Sequence, residues 1–442
     1  MMKANKNKVS IKTCLTVIAI NMFLGSIIFG EFLQVNTNNL VIYGMYFLSI
    51  ICIIIANTKN KVFIFSKKIL QYGLPWIIFF IIFVFIYNVM IFRHNYYTTI
   101  RWTFCFLMIF LIGNLNCKYY EKIMDTFLVI TYLYVISSAV MLVFPHLYKS
   151  MYLIWGYWPT GTNGGAAGYR AGIAAHYSEN AMVITMTLLA LFSRVLGSDE
   201  VKRGFWRQNK WYIAAIIAAG TMLLLTTKRA HILFGFTAIL MTYYLHRPEK
   251  RTGRFFQVLL IGILLTAAFY VSAINIPALR EVLFRFLTIG TDQESTTRFL
   301  MWKLALKLFM SFPIFGIGWG GYKYQFHLSL YDPRVRADRY QYLNAHNVYL
   351  QLLSETGIVG FLLFMSGAII IFYKTIVLLK HDEIKYNQGY RTIILFSIMV
   401  QIFIALYSVT GNCLYDIMFS FYALAVGLSF GIRLMIGTGI VK

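Results

Sequence analysis

HNVYLQLLSETGIVGFLLFMSGAIIIFYKTIVLL, residues 346–379, changes character at Gly357. Before that glycine the residues are of mixed polarity. After it, the run from Ile358 to Leu379 holds a single charge, Lys374, and is long enough to cross a bilayer, which takes about 20 residues. A polar stretch therefore runs straight into a membrane span. The span itself needs only apolar residues, so His346, Asn347 and Glu355 ahead of it require another explanation.

The same apolar pattern recurs along the chain. Of 442 residues, 59% are hydrophobic and only 13% charged, about half the usual charged share of a soluble domain. The hydropathy predicts an all-α integral membrane protein of about twelve helices. The spans fall near 11–30, 40–56, 74–92, 97–113, 124–144, 178–196, 211–226, 230–245, 255–275, 358–379, 391–410 and 415–436. The seven prolines lie outside these interiors or at their starts, where proline costs least. The Lys-rich, then apolar N-terminus is read as a retained first span rather than a cleaved leader. Abundant aromatics (38 Phe, 31 Tyr, 8 Trp) suit belts at two membrane interfaces.

A net charge of +24 would suggest nucleic acid in a soluble protein. Here it points to cytoplasmic anchoring and an anionic lipid or substrate, with no nucleic acid partner. Lys and Arg cluster in the segments around Lys3–Lys12, Lys59–Lys68, Lys202–Lys210 and Arg247–Arg254. The positive-inside rule then places both termini in the cytoplasm. The chain reads as one polytopic membrane domain, 1–442, with two outer segments too long to be mere connectors: 145–177 and 276–357. Within the second, Phe299, Trp302, Leu306, Phe309 and Met310 recur near helical spacing, which predicts amphipathic helices lying on the outer membrane surface. Five cysteines form no CxxC pair, so neither a disulfide framework nor a metal site is expected, and no cofactor.

Four clusters carry candidate chemistry. Arg170, in RAGIAAHYSEN (170–180), can grip an anion with its planar fork, or simply snorkel to the interface. Lys228 and Arg229 join two spans with almost no loop between them, on the side that should be poor in positive charge. Burial against an anion would offset that cost. Arg298, in TTRFLMW (296–302), is a candidate for binding the substrate diphosphate or else a solvated surface charge, and it precedes PIFGIGWGG (313–321). Those glycines formally match GxGxxG, but no strand precedes them and the segment lies outside, so they read as a turn packing closely on the membrane face. In the fourth cluster, Asn344 can cap a helix starting near Ala345 that Gly357 ends. His346 would then sit in the first turn, where the positive helix end favours the neutral imidazole that a general base needs. Glu355 is the second catalytic candidate: it can orient a partner or pair with an arginine, and a carboxylate is the only other plausible base in this stretch.

In this order and topology the clusters resemble the O-antigen ligase and O-antigen polymerase superfamily of bacterial membrane glycosyltransferases. The carrying motifs are Arg-x-Gly…His-x-x-x-Asn at 170–180, Lys-Arg at 228–229, Arg-x-x-x-Trp…Pro-x-x-Gly-x-Gly at 298–318 and His-Asn-x-Tyr-Leu…Glu-x-Gly-x-x-Gly at 346–360. The resemblance implies transfer of a glycan from an undecaprenyl-diphosphate carrier to an acceptor glycan, on the outer face of the cytoplasmic (inner) membrane, without metal. It implies that Arg170 and Arg229 hold the donor diphosphate and that His346 is the base for the acceptor hydroxyl. Thr227-Lys228-Arg229-Ala230 stands where many relatives have Ser-Arg-Gly, so either Lys228 or Arg229 faces the substrate. These motifs do not separate a polymerase from a ligase. Richness in Ile, Lys, Asn and Tyr suggests an AT-rich genome and tilts the reading towards a capsular or cell-wall polysaccharide polymerase. A twelve-span flippase or transporter is the rival. Against it stand the absence of a two-fold repeat and a long outer loop that transport leaves unexplained.

Overall fold

The computed structural model describes residues 11–30, 40–58, 67–86, 96–116, 118–144, 146–147, 171–174, 177–198, 205–246, 251–288, 290, 293–329, 343–416 and 418–438. Among them every regular element is a helix. In chain order these are α1 (Ile11–Ile28), α2 (Leu40–Thr58), α3 (Lys67–Phe79), α4 (Tyr96–Gly113), α5 (Lys118–Val143), α6 (Tyr177–Gly197), α7 (Phe205–Leu225) and α8 (Arg229–Leu245). Then follow α9 (Arg251–Asn275), α10 (Pro277–Leu287), α11 (Gln293–Ser311), α12 (Gly321–Ser329), α13 (Val348–Leu378), α14 (Asp382–Tyr386), α15 (Gln388–Tyr407) and α16 (Phe419–Thr438).

Among the described residues a helix falls on each expected span, but residues 87–92 of the third lie outside the described residues and α13 begins ten residues ahead of 358. Among the described residues six helices, α5, α6, α9, α13, α15 and α16, are long and apolar enough to cross a membrane, and five shorter apolar helices accompany them. Backbone groups have no water to bond in hydrocarbon, so helices that satisfy their own amides are what such a sequence can form. In α6, α15 and α16 most of the apolar stretch is buried, whereas that of α9 is almost wholly exposed. The core is aromatic: Trp102, Trp319, Phe79, Phe364 and Phe419 meet with ring centroids 4.6–6.2 Å apart.

Two sequence expectations need correction. Pro75 lies inside α3, because the helix begins at Lys67, well before the expected start near 74. A π-helical segment, Phe80–Ile86, continues α3. The second concerns Gly357, which breaks α13 without ending it. Its φ of 62° and ψ of −169° interrupt a helix that continues to Leu378.

The break is sealed by a distant turn. Ile317 N–H donates to the Ser354 carbonyl (3.0 Å) and Gly318 N–H to that of Glu355 (2.9 Å). In return Ile358 N–H donates to Pro313 O (2.8 Å) and Val359 N–H to Ile314 O (3.2 Å). All four backbone groups freed at Gly357 thus find partners in Pro313–Gly318. A Cβ on Gly357 would collide with the Ile314 carbonyl, and one on Gly316 with Glu355 backbone. The glycine-rich run is therefore a turn packed against a helix, not a phosphate loop.

The contacts sort the connecting segments into two ends. Segments expected outside meet at one end: Ser178 with Tyr407, Arg229 with Arg285, His346 with Asn412. Segments expected inside meet at the other: Arg194 with Asp125, Asn209 with Ser198, and His246 with Arg254 and Arg391.

Candidate functional site

The first end is where α6, α8 and α13 begin and α15 finishes. The chain passes from α7 to α8 through Thr226–Lys228, with Thr227 in the left-handed region at φ 56°. Lys228 is the N-cap residue of α8. Its ammonium lies over the Tyr177 ring, 3.8 Å from the centroid. Arg229, in the first turn of α8, donates from its guanidinium to the backbone carbonyl of Arg285 in the last turn of α10. Arg298, from α11, completes the set.

Lys228, Arg229, Arg285 and Arg298 line one cavity of about 190 Å³, shared with His231, Trp302, Tyr407 and Thr410. Arg285 also pairs with Glu281 at 4.0 Å, and the cations gathered at the positive end of α8 make this end of the cavity strongly positive. Such a lining suits an anion. His231 is buried and packs 4.6 Å from the Tyr407 ring. The Tyr407 hydroxyl lies 3.3 Å from the Ser178 hydroxyl, which ties α15 to the start of α6.

Beside the cavity, the segment before α13 folds onto the loop after α15. Asn347, and not Asn344, caps α13: its side chain accepts from Leu350 N–H at 3.0 Å. The helix begins at Val348, so His346 stands just ahead of its first turn, not within it. Asn344 is taken by a competing partner, the Gln351 amide, at 3.1 Å. His346 adopts φ 51°, and among the described residues only it and Thr227 are non-glycine residues with positive φ. Its backbone N–H donates to Asn412 Oδ1 at 2.9 Å, and Asn412 Nδ2 stands 3.3 Å from its Nδ1. Val348 N–H donates to the Ser408 carbonyl at 2.8 Å. Thr410 lines the cation cavity and Asn412, two residues on, holds His346, so one short loop borders both groups.

Glu355 lies beneath, fully buried. It accepts from Gln351 Nε2 (3.1 Å), Tyr322 N–H (3.3 Å) and Tyr415 hydroxyl (3.0 Å). The Tyr322 N–H belongs to the first turn of α12, whose positive end suits a carboxylate. The Tyr415 hydroxyl is the donor in its contact with the carboxylate. Gln351 passes the connection on, accepting from Ala345 N–H at 2.9 Å. Glu355 thus fastens α12, the Tyr415 loop and the His346 segment to one point.

Of the residues singled out from sequence, Lys228, Arg229 and Arg298 come together, with His346 on the adjoining loop. Arg170 lies outside the described residues. Arg285 and Asn412 are new. Arg285 sits in a helix with no motif. The signal for Asn412 was a polar Gly411-Asn412 pair squeezed between two apolar runs. Among the described residues no three His, Cys, Asp or Glu side chains are placed to hold a metal ion.

Comparison with curated proteins gives no match. A family model described as O-antigen ligase matches residues 213–365, the segment that carries Lys228, Arg229, Arg285, Arg298, His346 and Glu355. Over that segment, about a third of the chain, the protein is similar to the O-antigen ligase family.

Proposed function

We propose that the protein is a glycosyltransferase of the bacterial cytoplasmic membrane that moves a glycan from an undecaprenyl-diphosphate carrier to an acceptor glycan hydroxyl. We further propose that it spans the bilayer about twelve times, with both termini inside and the site on the outer face. The observation that carries this reading is the four-cation cavity at the head of α8. A lipid diphosphate is an anion whose charge suits such a lining. Lys228, Arg229, Arg285 and Arg298 balance the charge that grows as it departs. The acceptor oxygen bonds to the anomeric carbon and the bond to the diphosphate oxygen breaks. Its electron pair stays with the diphosphate, and the hydroxyl proton ends there too. His346 is the side chain beside the reacting groups, and Glu355 holds its segment in place. Arg170 joins the diphosphate site in this reading. Composition favours a polymerase, whose acceptor is a second carrier-linked glycan.

The test is purified protein in detergent with carrier-linked oligosaccharide extracted from cells lacking the enzyme, and EDTA present throughout. Longer glycans on the carrier lipid are expected. Transfer only to a lipid A-core or cell-wall acceptor would make it a ligase. Movement of intact lipid-linked glycan across vesicles, with no new glycosidic bond, would sink the reading in favour of a flippase. Loss of activity with EDTA would end the metal-free part.

A further inference from the structure

Asn412 grips His346 twice, and the two contacts together fix a proton. The His346 backbone N–H is only a donor, so the Asn412 atom 2.9 Å from it must be the carbonyl oxygen. That assigns the amide without a choice of flip. Its NH₂ group then faces His346 Nδ1 at 3.3 Å. An amide NH₂ donates, so Nδ1 must present a lone pair. A neutral imidazole with its lone pair on Nδ1 carries its proton on Nε2. The imidazolium would set N–H against N–H, and the same contact disfavours it. The backbone reinforces the arrangement. A φ of 51° costs a histidine roughly 1 kcal/mol, and it persists because Asn412, Ser408 and Gln351 hold residues 345–348 by hydrogen bonds.

We infer that Asn412 is a positioning residue that keeps His346 neutral with its proton on Nε2, so that His346 meets the substrate as a hydrogen-bond donor and not as the base. The inference rests on the glycosyl-transfer reading above. The donor's target is the oxygen that keeps the electron pair of the breaking anomeric bond, where negative charge grows. A carbon–oxygen bond forms to the acceptor, one breaks to the diphosphate, and the acceptor's proton passes to a diphosphate oxygen. No side chain has to store that proton.

Substitutions at both positions separate the roles. A glutamine amide can place an N–H near Nε2 but cannot act as a base. His346→Gln should therefore exceed His346→Ala in turnover by about tenfold, part of the worth of a positioned proton. Asn412→Asp puts a carboxylate against Nδ1, draws the proton there and leaves Nε2 bare, so turnover should fall well below wild type. Should His346→Gln match His346→Ala, or Asn412→Asp match or exceed wild type, His346 is the base and the inference is overturned. A second readout needs no turnover. In ¹⁵N-histidine-labelled protein in nanodiscs, the signals absent from His346→Gln should show a bare Nδ1 and a protonated Nε2. A protonated Nδ1 would also overturn it. If wild type transfers no glycan from the carrier-linked donor, the glycosyl-transfer reading fails, while the nitrogen spectrum still decides the proton's place.

Discussion

At the scale of single residues, the cations and His346 should separate cleanly in their effects. Arg229→Ala and Arg298→Ala should abolish polymer in cells while protein level stays near normal, read by immunoblot beside a glycan gel. Lysine at either position should rescue poorly, since a point charge replaces a planar fork. Lys228, already seated over Tyr177, should tolerate Arg better than Ala. His346→Ala should lose roughly 10²–10⁴-fold in turnover with binding of the carrier-linked donor intact. Its strained backbone adds a stability test. At φ 51° glycine is at ease and alanine is not, so His346→Gly should unfold later than His346→Ala, by about 1 kcal/mol, in thermal melts in detergent. Equal melting would mean that the left-handed conformation is lost in the variants. The chemistry-bearing residues were legible because Lys228, Arg229 and His346 violate what their neighbourhoods need. Asn412 was not, because its importance lies in facing His346 across 66 positions of sequence.

At the scale of elements, the broken α13 and the Glu355 junction make the clearest claims. Glu355→Ala leaves the Tyr415 hydroxyl, the Tyr322 N–H and the Gln351 amide without their shared acceptor. Each buried donor so stranded costs about 1–3 kcal/mol, so little folded protein should be recovered by gel filtration. Glu355→Gln keeps an acceptor and should fold. If it also retained most activity, the carboxylate would be shown to act by fastening and not by its charge. Gly357→Ala meets the Ile314 carbonyl and should be worse tolerated than Gly262→Ala, whose Cβ meets nothing within 4 Å. Hydropathy revealed where the helices are, because burial in lipid leaves a long, continuous mark. Where they bend or break was hidden. The sequence near Gly357 looks like an ordinary helix end until the Pro313–Gly318 turn arrives to satisfy the open backbone. The cap was misplaced for a similar reason. Asn344 and Asn347 are equivalent by type, and only Gln351 decides between them.

At the scale of the whole molecule, the sorting of contacts into two ends bears on topology. Segments that the positive-inside rule assigns to one side touch only partners assigned to that side in the contacts described above. A cysteine introduced for exposed Lys307 should react with a membrane-impermeant maleimide in intact cells, and one for Asp382 only after lysis. The reverse pattern would invert the protein and remove the mechanism from the outer face.

The seam at Gly357 also constrains how the protein is made. Residues 313–318 leave the ribosome some forty positions ahead of the glycine they seal, and on the proposed topology they would already have crossed the membrane when α13 enters it. An unpaired amide or carbonyl in lipid costs several kcal/mol, so α13 presented without its strap would stall at the translocon or insert askew. The outer helices would then serve biogenesis as a preassembled receptor for the span that follows them. Chains arrested during synthesis just short of Pro313 and supplied with α13 in trans should fail to seat it, even though every residue of the span is present.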